Sequence, residues 1–142
     1  MINILWVEDQ PDQGIERIIE TLRSMYPDFA VRLEIDAEAA VSHLKEDRYD
    51  LVILDVRLLP KKGSIPDDSR VKGKVILQEL RSGTISGRTV RDVPCIIFSA
   101  IINQKDKTEI MSVSPPPLAY FEKPVALRDF ISVIHGHFGG AR

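Results

Sequence analysis

Five polar side chains stand just after short apolar runs, and their types suit one kind of chemistry. Glu8 and Asp9 follow Ile2–Val7, Asp55 follows Leu51–Leu54, Ser99 follows Cys95–Phe98, and Lys123 follows Leu118–Phe121. Asp36, after Phe29–Ile35, stands at a sixth such end and is the least telling. Carboxylates brought together repel, and one of them is pushed toward protonation unless a cation intervenes. A hard divalent ion with oxygen ligands resolves that conflict, and Mg²⁺ is the usual choice where phosphate is handled. A lysine adds a mobile positive charge for a phosphoryl oxygen, and a serine adds a hydroxyl donor. An aspartate carboxylate is a competent nucleophile toward an activated phosphoryl group. What then remains is to position that group and neutralise its charge.

Taken singly, each residue has a plainer reading. Glu8 and Asp9 could cap the first helix. Asp55 could end a strand and bond turn amides, although a carboxylate at the edge of an apolar core costs free energy unless it is satisfied or used. Ser99 could be a helix N-cap, and Lys123 a surface lysine. Tyr120 fits core packing and a switching role equally well. The coincidence of all of them at the ends of apolar runs favours the joint reading.

The elements that must position them alternate in type. Ile2–Val7 reads as a buried strand. Pro11 suits the first turn of a helix, and Ile15, Ile18, Ile19, Leu22 and Met25 recur at helical spacing. Pro27-Asp28 ends that helix, and 29–35 alternates as a half-buried or edge strand should. Ala37, Ala40, Val41 and Leu44 mark a second helix. A strand at 51–54 ends in Asp55, a long polar loop runs from 60 to 72, and Val75, Ile76, Leu77 and Leu80 fit a third helix. A second extended loop covers 82–93. A strand at 95–98 ends at Ser99, a weak helix spans 104–113, a fifth strand covers 118–121, and Leu127, Phe130, Ile131, Ile134 and Phe138 form the last amphipathic helix. Strand–helix alternation with continuous apolar strands predicts a parallel α/β sheet covered on both faces. Ligands of such sheets bind beyond the carboxyl ends of the strands.

A chain of 142 residues with net charge −2 suits one domain, 1–142, and lacks the basic footprint of a direct nucleic-acid binder. The single Cys95 excludes an internal disulfide, and no Cys/His spacing suggests a metal. The early acidic residues do not fit a signal peptide, and no apolar run approaches a membrane span, so a cytoplasmic protein without membrane contact is expected. Trp6 and Cys95 read as core, and His135-Gly136-His137 as a helix end.

In this light the chain resembles the receiver domains of two-component response regulators over nearly its whole length. Glu8-Asp9 resembles the family's metal-binding pair, Asp55 in YDLVILD its phosphoacceptor, Ser99-Ala100 in IIFSA its Thr/Ser-Ala step, and Lys123-Pro124 in YFEKP its Lys-Pro. Tyr120 matches the aromatic switch position, and Gly73 with Ile76-Leu77, Leu80 and Arg81 matches the opening of the third helix. The resemblance implies a doubly wound, flavodoxin-like (βα)5 fold with strand order 2-1-3-4-5. It further implies Mg²⁺ held by Asp9, Asp55 and the main-chain carbonyl of Arg57, with Glu8 acting partly through water, and a cis Lys123–Pro124 peptide. The implied role is a phosphoacceptor rather than a turnover enzyme, one that can catalyse its own phosphorylation and dephosphorylation. Its implied partners are a histidine kinase or phosphotransfer protein and a downstream protein met on a switching face that includes Ser99 and Tyr120.

Four features depart from the family pattern. Pro60 comes one residue late after the acceptor, the loops before Gly73 and over 82–93 are longer, and Pro115-Pro116-Pro117 replaces a small-residue turn. These keep open an alternative, a receiver-like interaction module that does not cycle phosphate. A haloacid-dehalogenase-type phosphatase would need Asp-x-Asp after the first strand, which Glu8-Asp9-Gln10 does not supply. A dinucleotide-binding domain would need Gly-x-Gly-x-x-Gly there.

Overall fold

The computed structural model describes residues 1–8, 13–56, 72–100 and 104–139. Within them the chain alternates β1 (Ile2–Val7), α1 (Gln13–Met25), β2 (Phe29–Glu34), α2 (Ala37–Glu46), β3 (Leu51–Asp55), α3 (Lys72–Ser82), β4 (Cys95–Ser99), α4 (Gln104–Met111), β5 (Ala119–Glu122) and α5 (Leu127–Phe138). The strands are parallel and lie in the order β2-β1-β3-β4-β5, the flavodoxin-like arrangement. Pro11, Pro60, most of the 60–72 loop, Asp9 and Arg57 lie outside the described residues.

Because side chains alternate across a strand, the central strands β1, β3 and β4 feed two cores. Leu5, Val7, Val52, Leu54, Cys95 and Ile97 face α2, α3 and α4, where Ala40, Leu44, Ile76, Leu77, Leu80 and Ile110 cover them. Ile4, Trp6, Ile53, Ile96 and Phe98 face α1 and α5, meeting Ile15, Ile18, Ile19, Leu22, Phe130 and Ile134. Trp6 is core: its ring lies 5.4 Å from both Phe98 and Phe130, the first pair edge-on. Each fully buried large aliphatic side chain is worth about 1.5–3 kcal/mol, so the central strands β3 and β4, buried at every position, anchor the fold. Cys95 is also core, and burial pushes its thiol up to about 11, which leaves it unreactive.

Element ends differ slightly from the expectation. β2 stops at Glu34, and Asp36 caps α2 by accepting from the Ala39 amide at 2.6 Å. β5 starts at Ala119, because the Leu118 amide bonds the Cys95 carbonyl while its side chain stays exposed. α4 ends at Met111 rather than at 113: Ile110 is its one buried residue, and the chain turns at Ser112, whose amide bonds the Glu109 carbonyl, before Val113 packs on the core. The 82–93 segment is well tied: Arg81, itself buried, donates to the carbonyls of Arg91 and Pro115 at 2.6 and 2.9 Å. No helix among the described residues is long and apolar enough to cross a membrane.

Candidate functional site at the carboxyl ends of the strands

Strand register brings the singled-out residues together. Val7 pairs with Leu54, so Glu8 emerges beside Asp55 at the end of β3. Asp55 pairs with Phe98, which sets Ser99 one step beyond it on β4. Ser99 pairs with Glu122, and the Lys123 amide donates to the Ser99 carbonyl at 2.7 Å, which fixes the lysine at the same rim. The Lys123–Pro124 peptide is cis, as is Ser114–Pro115.

Three charged groups meet there. Lys123 Nζ donates to Glu8 Oε1 and, at 3.1 Å, to Asp55 Oδ2. The two carboxylates are almost wholly buried, with side chains 1% and 8% exposed, while the lysine reaches them from a wetter position at 26%. Burial, and next the Asp55 carboxylate, push Glu8 up to about 8 against the pull of Lys123. Burial alone would draw the Lys123 ammonium down, but Glu8 and Asp55 outweigh it and hold it above its usual value. The rim thus carries the carboxylate conflict expected from the sequence, with one lysine partly relieving it.

Ser99 is buried, and its hydroxyl has no hydrogen-bond partner among the described residues. An orphaned buried hydroxyl costs free energy unless it is used. It lies close to the Tyr120 phenol, which burial pushes above its usual pKa while Ser99 opposes that rise. Tyr120 is half-buried, packs against the α2/α3/α4 core, and carries Lys107 Nζ 5.1 Å from its ring centroid.

The structure therefore brings Glu8, Asp55, Ser99 and Lys123 to one rim, with Tyr120 beside Ser99. Asp9 and the Arg57 carbonyl lie outside the described residues. Glu8 and Asp55 supply the hard oxygen donors that Mg²⁺ prefers. Among the described residues no group of three or more His, Cys, Asp or Glu side chains is placed to hold a metal.

Two features escape sequence reasoning. The direct Lys123–Glu8 pair joins residues 115 positions apart and depends on strand register. Gly73 is a contact as well as a helix-opening residue: a Cβ there would collide with the Asp55 carbonyl oxygen, and its amide donates to the Val56 carbonyl at 2.8 Å. The start of α3 is thereby pressed against the backbone that carries Asp55.

No protein-family model matches the chain, and no curated protein matches it. Solved structures do. The non-phosphorylated HemR receiver domain of Leptospira biflexa is similar with a TM-score of 0.69 at 20% identity, over 100% of this chain and 98% of that one. The receiver domain of a Pseudomonas aeruginosa sensor histidine kinase, solved with a magnesium ion coordinated in its active-site cleft, gives 0.67 at 26% identity over 98% of both chains. A CheY-like receiver domain protein of Methanospirillum hungatei gives 0.66 at 16% identity over 96% and 93%. Many of the similar structures are CheY-like response-regulator receiver domains, the likeness covers most of the chain, and this chain has their fold.

Proposed function

We propose that this chain is a phosphoryl-accepting receiver domain that takes a phosphoryl group on Asp55, with Mg²⁺, from a histidine kinase or phosphotransfer protein. One observation carries the reading: Glu8, Asp55, Lys123 and the buried Ser99 hydroxyl converge at the carboxyl ends of neighbouring parallel strands.

Asp55 attacks the phosphorus of the donor phosphohistidine. The new P–O bond forms as the P–N bond breaks, and the electron pair stays on the imidazole, which takes up a proton. Lys123 swings from its carboxylate partners to a phosphoryl oxygen, and the Ser99 hydroxyl donates to another. Asp55, Asp9 and the Arg57 carbonyl would hold Mg²⁺, with Glu8 partly through water, and the ion supplies charge neutralisation at the phosphoryl oxygens when bound. The magnesium ion in the cleft of the Pseudomonas aeruginosa domain supports this assignment. The chain acts as a phosphoacceptor that promotes its own loading and unloading, not as an enzyme with an external substrate. Its setting is the cytoplasm. Its output is a downstream protein, without direct contact to nucleic acid or membrane.

A second reading, an interaction module that does not cycle phosphate, draws on the Lys123–Glu8–Asp55 cluster, which neutralises part of its own charge without a metal. Incubation with Mg²⁺ and a small phosphodonor, read by intact mass, separates the two. A gain of one phosphoryl group supports the acceptor, and an unchanged mass supports the module.

A further inference from the structure

At the opposite end of the sheet from Asp55 lies a cleft of about 530 Å³ that the phosphoacceptor chemistry does not use. Its floor is Asn3 of β1 and Arg32 of β2, and its walls are Asp47, Arg48 and Tyr49 from the α2–β3 connection and Arg88 from the extended 82–93 loop. Three arginines from three separate segments thus line the cleft with one aspartate.

Two of these arginines have little neutralising charge beside them, and Arg32 is engaged by Glu34 and the Tyr49 phenol. Arg48 and Arg88 have no charged side-chain partner among the described residues. Arg32 is 3.9 Å from Glu34, whose carboxylate lies closer, at 3.0 Å, to His43 Nε2. On a chain of net charge −2, such a concentration of positive charge is local and specific.

The cleft is also built, not incidental. The Arg88 amide donates to the Lys45 carbonyl at 3.0 Å and the Thr89 amide to the Leu44 carbonyl at 3.1 Å. The buried Thr89 hydroxyl accepts from the Tyr49 amide at 3.1 Å and donates to the Asp47 carbonyl at 2.6 Å. Gly87 lies so close to the Lys45 backbone that a Cβ would collide with it. The loop insertion is therefore stapled across the end of α2 in a way that fixes Arg88 beside Arg48.

We propose that this cleft binds a small organic phosphate carrying at least two negative charges, of the size of a nucleoside diphosphate. Planar guanidinium forks match phosphate oxygens two at a time. The volume falls within the range of small-molecule sites. The Asn3 side-chain carboxamide and the Asp47 carboxylate offer a donor and acceptors for the sugar or base of such a ligand.

The test is titration calorimetry on the full chain in EDTA, so that no metal-assisted binding at Asp55 contributes, with inorganic pyrophosphate, ADP and GDP as probes and orthophosphate as the comparison. Repeating it with Asp55→Asn separates the cleft from the acceptor site. At least one of the three probes should bind with Kd below about 1 mM, unaffected by Asp55→Asn. The Arg48→Ala/Arg88→Ala double variant should weaken that binding at least about tenfold. Both arginines are exposed, so that variant should keep the wild-type circular dichroism spectrum. Failure of all three probes below 1 mM, unchanged affinity in the double variant, or equally tight orthophosphate binding would overturn the proposal. Tight binding of a short RNA without response to the small probes would overturn it too.

Discussion

Ser99 and Lys123 stand at the same rim, but the unloaded fold uses them differently. The Ser99 hydroxyl makes no well-formed hydrogen bond among the described residues and lies beside the Tyr120 phenol, so Ser99→Ala removes a poorly satisfied polar atom. Its stability should stay within about 0.5 kcal/mol of wild type, while the phosphorylated form loses a donor and its lifetime changes. A clear drop in melting temperature would instead mean that the hydroxyl serves the resting structure. Lys123 is already engaged with Glu8 and Asp55. Lys123→Ala should slow phosphoryl loading at least about tenfold, as expected when one donor to developing charge is removed. Stopped-flow measurement of loading from a small phosphodonor checks this, and an unchanged rate would remove Lys123 from the site.

Among the elements, α3 and α4 carry the most specific expectations. Gly73→Ala places a methyl group against the Asp55 carbonyl oxygen. Because backbone must move to relieve the clash, the variant should lose about 1–3 kcal/mol, read by urea unfolding; wild-type stability would mean that α3 docks less closely than described. Helix α4 buries only Ile110 and depends on Lys74, which reaches Asp106 and Glu109, each at 2.7 Å. Asp106 and then Glu109 hold the Lys74 ammonium above its usual pKa, and Lys74 holds Glu109 below its own. The Glu109 contribution is therefore complete above its ordinary value of 4.5 and is lost as pH falls through the lowered one. The Lys74 contribution is complete below 10.5 and is lost as pH rises through the raised value. At neutral pH the bridge is intact, so Lys74→Met should speed amide exchange in 104–111 by about fivefold. Exchange at the wild-type rate would show that α4 is held some other way.

For the whole molecule, the alternation of apolar runs and helical periods made the sheet legible, because β3 and β4 are buried at every position and read as unbroken Leu-Val-Ile-Leu and Cys-Ile-Ile-Phe runs. The meeting of Glu8, Asp55, Ser99 and Lys123 at one rim was legible for the same reason: each stands at or just beyond the end of an apolar run. The Lys123–Glu8 pair was not, since it is fixed by register between strands distant in sequence. Nor was the staple that holds the 82–93 loop on α2, because it rests on main-chain carbonyls and one threonine hydroxyl. The short α4 and the start of β5 were blurred by weak apolar patterning. Phosphorylation is expected to be read on the face of α4, β5 and α5, through Ser99 and Tyr120, as a local electrostatic event biasing a bistable element. Hydrogen exchange with and without beryllofluoride should change within 104–125. Changes confined to 60–72 would move the reporter to that loop.

The most direct test is intact mass spectrometry of the chain after incubation with Mg²⁺ and a small phosphodonor, run beside Asp55→Asn and an EDTA control. A phosphoacceptor at Asp55 gives one added phosphoryl group on the wild type, none on Asp55→Asn, and none when EDTA removes the metal. Labelling of Asp55→Asn to the wild-type extent, or a wild-type chain that gains no mass, would contradict it.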